Sequence, residues 1–244
     1  MNQVNVEQSI DEIYNTSWIH MRDQYAEDTF KEHALFNTTL LEISKPEKGT
    51  LLEIGSGTGE FLYTARSAGW DVTGIEPSLQ SCTYAKQKYG LDLIQGVWNK
   101  DQFEPGKKFD VIVFWHVLEH IANPITFLEE LIEILEPNGL IVFSIPNKDS
   151  YTNEIKGSHS PLFTEIDHLY HYSKKSLPVL LNKVSLNVLS LFSRQTMQSM
   201  NTDLNYCKNA GRETVTTVHE KMALISQLQG EFRGHELCCI ARKC

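Results

Sequence analysis

The sequence predicts an α/β fold of the doubly wound class, in which helices cover both faces of a mostly parallel sheet. Short apolar runs alternate with segments of helical periodicity between residues 50 and 145. Turn-forming glycines or prolines follow several of these runs, as expected where a strand ends. Strands separated by helices of this length are joined by right-handed crossovers, which produce a parallel sheet covered on both faces.

The periodicity predicts the elements in order along the chain. A helical N-terminal segment, which includes Tyr14 and Trp18, is expected within residues 7–43. The strands are then expected at 50–54, 71–76, 91–95, 109–115 and 140–145, with helices at 60–68, 78–89 and 127–135.

The pattern loosens after residue 146, where a helix is expected only at about 174–183. Residues 188–192 and 237–242 are the candidate last strands. If these two strands pair, residues 193–236 form a long insertion before the last strand, with a helix at 213–229. We therefore expect one domain, residues 1–244, with a helical N-terminal lid at 1–44, a core at 45–147, a loop and insertion at 148–236 and the last strand at 237–244.

Composition excludes several classes of protein. The chain has 244 residues, of which 41% are hydrophobic and 22% charged, so it has the material for a packed core. Its net charge of −9 disfavours a nucleic-acid substrate. No apolar stretch approaches the roughly 20 residues that span a bilayer. The five cysteines include no CxxC pair, so we expect reduced thiols in a cytoplasmic protein without a membrane anchor.

Three alternate glycines, Gly55, Gly57 and Gly59, follow the first predicted strand. Such a turn lets a ligand approach the backbone without meeting a Cβ atom. Glu76 ends the next strand, where a carboxylate accepts the hydroxyl hydrogens of a ribose. The dinucleotide fingerprint GxGxxG requires a further glycine at Glu60 or Leu62, so the dehydrogenase interpretation is disfavoured.

These segments resemble a known family. LLEIGSGTGEFL is similar to the first motif of class I methyltransferases that use S-adenosylmethionine (SAM), and VTGIEPS is similar to their second motif. Residues 109–147 resemble the subfamily that contains the ubiquinone-pathway O-methyltransferases. The resemblance covers residues 50–147, continues weakly through 167–177, and implies a Rossmann-like methyltransferase that modifies a small-molecule acceptor, most readily at oxygen.

The resemblance also implies which residues bind SAM. The resemblance places the methionine half of SAM on the glycine turn and the ribose on the acid of the second strand. It places the adenine beside the second and third strands, and the sulfonium at the end of the fourth strand. Relatives carry an acidic residue near the adenine that this chain lacks. The implied residues are Glu53, Gly55, Ser56, Gly57 and Gly59 for methionine, Glu76 for the ribose, Pro77, Ser78, Val97 and Trp98 for adenine, and Trp115 and His116 for the sulfonium.

The histidines are the candidate bases of the reaction. An oxygen acceptor loses a proton when it is methylated, and a neutral imidazole accepts a proton near pH 7. We expect this base among His116, His120, His168 and His171. His116 and His120 are spaced so that they share one face with Glu119 if the segment is helical. The structural alternative is that these residues only begin a helix and hydrogen-bond a neighbouring loop.

A metal-assisted reaction is a further alternative. Residues 116–120 resemble the acid-x-x-Glu-His motif of metal-assisted O-methyltransferases, although His116 stands where those relatives carry an acid. Asp167-His168 resembles a later segment of the small-RNA 2′-O-methyltransferases. The resemblance implies a divalent metal on His116, Glu119, His120 and His168, and such ligands suit Zn²⁺, Mn²⁺ or Fe²⁺.

Other functions remain open at this stage. The acceptor is expected near Trp115 under residues 148–175, with Tyr14 and Trp18 closing over SAM. A non-catalytic SAM-binding protein is one alternative, and a methyltransferase that acts on protein or RNA is another.

Overall fold

A computed structural model describes residues 27–243. The described residues group into two compact units, residues 27–114 with 133–140 and residues 115–132 with 141–243. The predicted N-terminal lid is described only from Glu27 onward, so Tyr14 and Trp18 lie outside the described residues. The single-domain assignment and its boundaries remain predictions.

The order of the strands confirms the doubly wound α/β fold. The sheet has seven strands in the order β3-β2-β1-β4-β5-β7-β6. Pairing is parallel for β1 with β2, β1 with β4 and β2 with β3, whereas β6 and β7 are antiparallel. The strands are β1 (Thr50–Ile54), β2 (Asp71–Glu76), β3 (Ile94–Gln95), β4 (Phe109–Trp115), β5 (Leu135–Pro146), β6 (Leu186–Arg194) and β7 (Glu236–Lys243).

The described helices lie between these strands in chain order. They are α1 (Glu27–Ser44), α2 (Glu60–Ser67), α3 (Leu79–Tyr89), α4 (Pro124–Glu133), α5 (Tyr151–Lys156), α6 (Pro161–Thr164), α7 (Ser176–Lys183), α8 (Met197–Asn209) and α9 (Val218–Gly230). Three short 3₁₀ turns cover Lys100–Gln102, Leu118–His120 and Gly157–His159. None of the helices in the described part of the chain is both long and apolar enough to cross a membrane.

The first unit is built on β1 and β4. Leu51 and Leu52 of β1 are fully buried, as are Phe109 and Phe114 of β4. Burial of these large side chains from both faces supplies most of the stabilisation of a parallel sheet. Gly74 of β2 has no room for a side chain, because a Cβ atom there would lie 2.4 Å from Leu62 of α2.

The second unit contains the predicted insertion. Helices α8 and α9 occupy it and pack together through Met200, Leu204, Ile225 and Leu228. The helix predicted at 213–229 begins at Val218, because Thr217 caps it through a reciprocal capping box with Glu220.

Three sequence predictions are corrected in detail. The strand expected at 91–95 shortens to Ile94–Gln95. The helix expected at 127–135 begins at Pro124, a residue suited to the first helical position, and ends at Glu133. Leu135 therefore starts β5, whose first residues include the turn-like Pro137-Asn138-Gly139. Finally, His116 is not helical: its φ of 54° is left-handed, and only Leu118–His120 form a 3₁₀ turn.

Candidate active site

The glycine turn of the first unit has the backbone conformation that requires glycine. Gly55, Gly57 and Gly59 all have positive φ, at 72°, 52° and 85°. A Cβ atom on Gly59 would also lie 3.0 Å from the Leu91 side chain and 3.1 Å from that of Ala85. Positive φ therefore disfavours a side chain at all three positions, and at Gly59 a Cβ atom would also press on Leu91 and Ala85.

Glu76 holds the glycine turn against the end of β2. Its buried carboxylate accepts the N–H of Gly57 at Oε2 over 2.8 Å and the N–H of Ser78 at Oε1 over 2.9 Å. Burial raises the pKa of Glu76, and these two hydrogen bonds only partly oppose the shift. Each carboxylate oxygen has two acceptor positions, so both oxygens retain capacity for a further donor.

The other residues predicted to bind SAM divide by exposure. Glu53 and Ser56 are buried, and the Ser56 hydroxyl donates to the Glu53 carbonyl over 3.2 Å. Ser78 is buried and caps α3 by accepting the Ser81 N–H over 3.2 Å. Val97, in contrast, is 57% exposed. Pro77, Trp98 and Trp115 are partly exposed.

Glu119 lies at the centre of a histidine cluster in the second unit. Its side chain is buried, with Oε1 3.6 Å from His116 Nδ1 and 3.8 Å from His120 Nε2. Within residues 27–243, no hydrogen-bond donor reaches either carboxylate oxygen. Burial raises the pKa of Glu119, although the charges of the neighbouring histidines oppose the shift. A buried carboxylate without donors is unfavourable unless a proton or a cation compensates it.

His120 and His168 each place Nδ1 against a backbone carbonyl. Nδ1 of His120 lies 3.0 Å from the Asp167 carbonyl oxygen, and Nδ1 of His168 lies 3.3 Å from that of Leu162. A carbonyl only accepts, so Nδ1 of each ring carries a proton, and a neutral His120 keeps its lone pair on Nε2. His168 Nε2 is 3.0 Å from Glu165, and that ion pair raises the pKa of His168 against the opposing effect of burial.

His116 belongs to a second polar group, which the sequence did not predict. Its Nε2 lies 2.9 Å from Oε2 of Glu236, whose Oε1 accepts from Arg194 Nη1 over 2.9 Å. Glu236 and Arg194 are buried and face each other as register partners on β7 and β6. Burial alone would raise the pKa of Glu236, but the His116 hydrogen bond and the charges of His235, His116 and Arg194 hold it well below its usual range.

His171 stands apart from both groups. It is exposed, and its ring packs edge-on against Phe163 with centroids 5.1 Å apart. His171 also lines a groove of about 340 Å³ with Tyr170 and Tyr172. The buried Tyr172 hydroxyl has no hydrogen-bond partner among the described residues, and burial raises its pKa, so it remains a protonated donor at neutral pH.

The structure therefore brings together three of the four predicted metal ligands. Ligand atoms of Glu119, His120 and His168 lie within 4.8 Å of one another. His116 is not in this group. Sequence reasoning missed Glu165 and Glu236, and it considered Arg194 only as one residue of an insertion that could complete the acceptor pocket. The available signal for Glu236 was an acid immediately before the apolar run 237–241, because a buried strand seldom holds a charged residue unless that residue is paired.

Comparison with known proteins decides the family. A family model described as a methyltransferase domain matches residues 22–191, more than half of the chain. The chain belongs to this methyltransferase family. This result confirms the methyltransferase class that the sequence motifs predicted, with SAM as the methyl donor.

Relatives of this methyltransferase are distant. It is 28% identical over 132 residues to the ubiquinone biosynthesis O-methyltransferase of Rickettsia typhi, a match that covers 53% of this chain and 50% of the relative. The chain thus spans about half the length of the curated relatives it matches. Among solved structures, it resembles a SAM-dependent methyltransferase from Thermotoga maritima, with a TM-score of 0.63, 18% identity, and coverage of 96% of this chain and 99% of the other.

A second structural neighbour was solved with the demethylated product of SAM. The plantazolicin methyltransferase BpumL, in complex with S-adenosylhomocysteine (SAH) and a substrate analogue, matches with a TM-score of 0.59 and 18% identity, covering 98% of this chain and 96% of its own. At 18% identity, the two structural matches show that this methyltransferase shares their fold.

Proposed function

We propose that this protein transfers a methyl group from SAM to an oxygen atom of a small molecule, with a histidine as the base that removes the acceptor's proton. Membership of the methyltransferase family is the observation that carries the proposal. The name of the Rickettsia relative favours oxygen as the acceptor atom. The net charge of −9 favours a small molecule over a nucleic acid.

The glycine turn and Glu76 are the proposed binding site for SAM. Glu53, Gly55, Ser56, Gly57 and Gly59 would hold the methionine half, with Pro77, Ser78, Val97 and Trp98 beside the adenine and Trp115 and His116 toward the sulfonium. Glu76 would accept the ribose hydroxyls, and the unused acceptor positions of its two oxygens support this role.

The chemistry demands little beyond alignment and proton removal. SAM supplies a methyl group on a positively charged sulfur; the bond from carbon to oxygen forms as the bond from carbon to sulfur breaks, and SAH leaves. The acceptor's proton passes to a base, and positioned general bases contribute about 10²–10⁴-fold to rate. His116, His120 and His168 lie around Glu119, whereas His171 does not, so the three clustered histidines are the stronger candidates.

A metal-assisted reaction is the second candidate, favoured by the donor-free carboxylate of Glu119. Glu119, His120 and His168 would hold the cation. Nε2 of His120 would be one ligand atom, whereas Nε2 of His168 would first have to leave the Glu165 carboxylate. The carbonyl oxygens behind Nδ1 of both rings fit the usual support of metal-binding histidines. A bound divalent cation would polarise the acceptor oxygen and lower its pKa.

The first experiment is calorimetric titration of SAM into chelator-treated protein, followed by assay of SAH release with a catechol, an aliphatic alcohol and a primary amine. We expect SAM to bind and the catechol or alcohol to be methylated. Failure of SAM to bind would refute the proposal. SAM binding without turnover on any acceptor would support a non-catalytic SAM-binding protein instead.

Adding Zn²⁺ or Mn²⁺ back to the chelated protein separates the two candidates. A metal-assisted enzyme regains activity with the ion, and a His168→Gln variant loses that response. A metal-free enzyme is equally active before and after chelation. A His171→Gln variant is the matched control, because His171 lies outside the cluster and should respond to metal as the wild type does.

A further inference from the structure

Glu236 is placed to fix which nitrogen of His116 carries the proton. The Glu236 carboxylate is ionised, because Arg194 donates to one of its oxygens, and an ionised carboxylate only accepts. The His116 nitrogen 2.9 Å from the other oxygen must therefore carry a hydrogen. A neutral His116 then has its proton on Nε2 and its lone pair on Nδ1.

Nδ1 of His116 is left available by its surroundings. The nearest carboxylate oxygen, on Glu119, is 3.6 Å away, which is too long for a hydrogen bond. The His116 side chain is 38% exposed, against 18% for His120 and 8% for His168. Of the three clustered histidines, His116 thus has the most accessible side chain, and Nδ1 is the nitrogen that Glu236 leaves able to accept a proton.

The backbone of His116 is held in a costly conformation. Its φ of 54° is left-handed, a conformation that is unfavourable for a residue other than glycine. A hydrogen bond from its N–H to the Ser144 carbonyl over 2.9 Å and the bond to Glu236 hold it there. Strain of this kind is concentrated at functional sites.

We propose that Glu236 and Arg194 are positioning residues that hold His116 as the base of the methyl transfer, with Nε2–H bound to Glu236 and Nδ1 free to take the acceptor's proton. This inference rests on the proposed function. Arg194 fixes the Glu236 carboxylate, Glu236 fixes the ring, and the ring receives the proton that leaves the acceptor oxygen as the methyl group arrives.

Arg194 makes the Glu236→Gln variant informative. Arginine only donates, so it selects the oxygen of the new side-chain amide and turns the NH₂ group toward His116. His116 Nε2 must then accept, and the proton moves to Nδ1. We expect ¹⁵N spectra of labelled histidine, recorded on chelator-treated protein at about pH 9 where imidazoles are neutral, to show this change of tautomer. A His116→Gln spectrum assigns the signal.

Kinetics test whether the tautomer matters for the reaction. With whichever acceptor the panel identifies, we expect Glu236→Gln to lower kcat by about 100-fold, while KM for the acceptor and Kd for SAM change by less than about threefold. Glu236→Asp keeps the acceptor group and should retain the wild-type tautomer and more activity than the Gln variant.

Asp203→Asn is the matched control. Asp203 is as deeply buried as Glu236 and is paired with Lys156 at 3.1 Å, but it touches neither histidine group. We expect this variant to lose stability without changing the His116 tautomer or kcat. A kcat for Glu236→Gln equal to that of Asp203→Asn would overturn the proposal.

The wild-type spectrum keeps the inference testable if the Gln variant does not fold. A proton on Nδ1 of His116 in the wild type would overturn it directly, and a proton on Nε2 is the expected result. The proposed function fails separately, through absence of SAM binding or of turnover in the wild-type protein, neither of which depends on the His116 tautomer.

Discussion

Replacement of Glu76 by glutamine should weaken both the fold and the binding of SAM. The carboxylate accepts two backbone N–H groups in a buried turn. The amide can accept only one of them, because its NH₂ group faces the other donor. Leaving one buried N–H unpaired costs about 1–3 kcal/mol, and relief of the buried charge offsets part of that, so we expect a loss of about 1–2 kcal/mol in the free energy of unfolding.

The weaker binding of SAM is expected because the Glu76→Gln variant loses the negative charge at residue 76. A hydrogen bond to a charged acceptor contributes about 1.5–3 kcal/mol, so its loss at the ribose should raise Kd roughly 10- to 100-fold. Calorimetry gives Kd, and urea unfolding with and without SAM gives the stability. At a concentration 100 times its Kd, SAM should stabilise the wild type by about 2.7 kcal/mol and stabilise the variant much less.

Asp110→Asn is the control for this prediction. Asp110 also accepts a backbone N–H, that of Thr50, over 2.9 Å, but it lies at the opposite end of β1 from the glycine turn. The Asp110→Asn variant should lower the free energy of unfolding and leave the Kd for SAM unchanged. An unchanged Kd for SAM in the Glu76→Gln variant would refute the role assigned to Glu76.

Three further predictions concern the same unit. Gly59→Ala should destabilise the protein by more than Gly90→Ala. Both glycines have positive φ, but only at Gly59 would a Cβ atom press on neighbouring side chains, so urea unfolding should show a loss of about 1–3 kcal/mol for Gly59→Ala against about 1 kcal/mol for Gly90→Ala. Burial opposes the lowering of the Asp110 pKa in the folded protein, but hydrogen bonds and a nearby lysine outweigh it. The stabilisation by Asp110 should therefore be present above the unfolded pKa of 3.8 and vanish as the pH falls through the lower folded pKa. The urea-unfolding curves of the wild type and Asp110→Asn should accordingly converge in acid. Burial and the charge of Glu76 raise the pKa of Cys82 to about 11, so alkylation of the Cys82 thiol at neutral pH should be slow. Mass spectrometry should show that the thiol is alkylated faster in the Glu76→Gln variant than in the wild type.

Much of the first unit could be predicted from the sequence, because its signals are local. The apolar run 50–54 and the glycines that follow it predicted β1 and the turn before α2. Glu76 could be placed at the end of β2 because strand periodicity ends there. In these segments, neighbours in sequence determine both the conformation and the chemistry.

The interpretation of the histidine motif needed the tertiary structure. Sequence spacing suggested that His116, Glu119 and His120 share the face of a helix, but the left-handed backbone at His116 removes that helix and separates its ring edge from those of His120 and His168. His116 and His120 still approach the Glu119 carboxylate, at 3.6 and 3.8 Å, because a tight turn rather than a helix brings these three residues together.

Sequence alone determined that this chain alternates strands and helices around a glycine turn and an acid, which is the pattern of its family. Tertiary structure decided that His116 meets Glu236, a residue 120 positions away, and that Arg194 completes the group. The physical reason is that the antiparallel register of β6 and β7 sets Arg194 opposite Glu236, and pairing between distant strands leaves almost no trace in local periodicity.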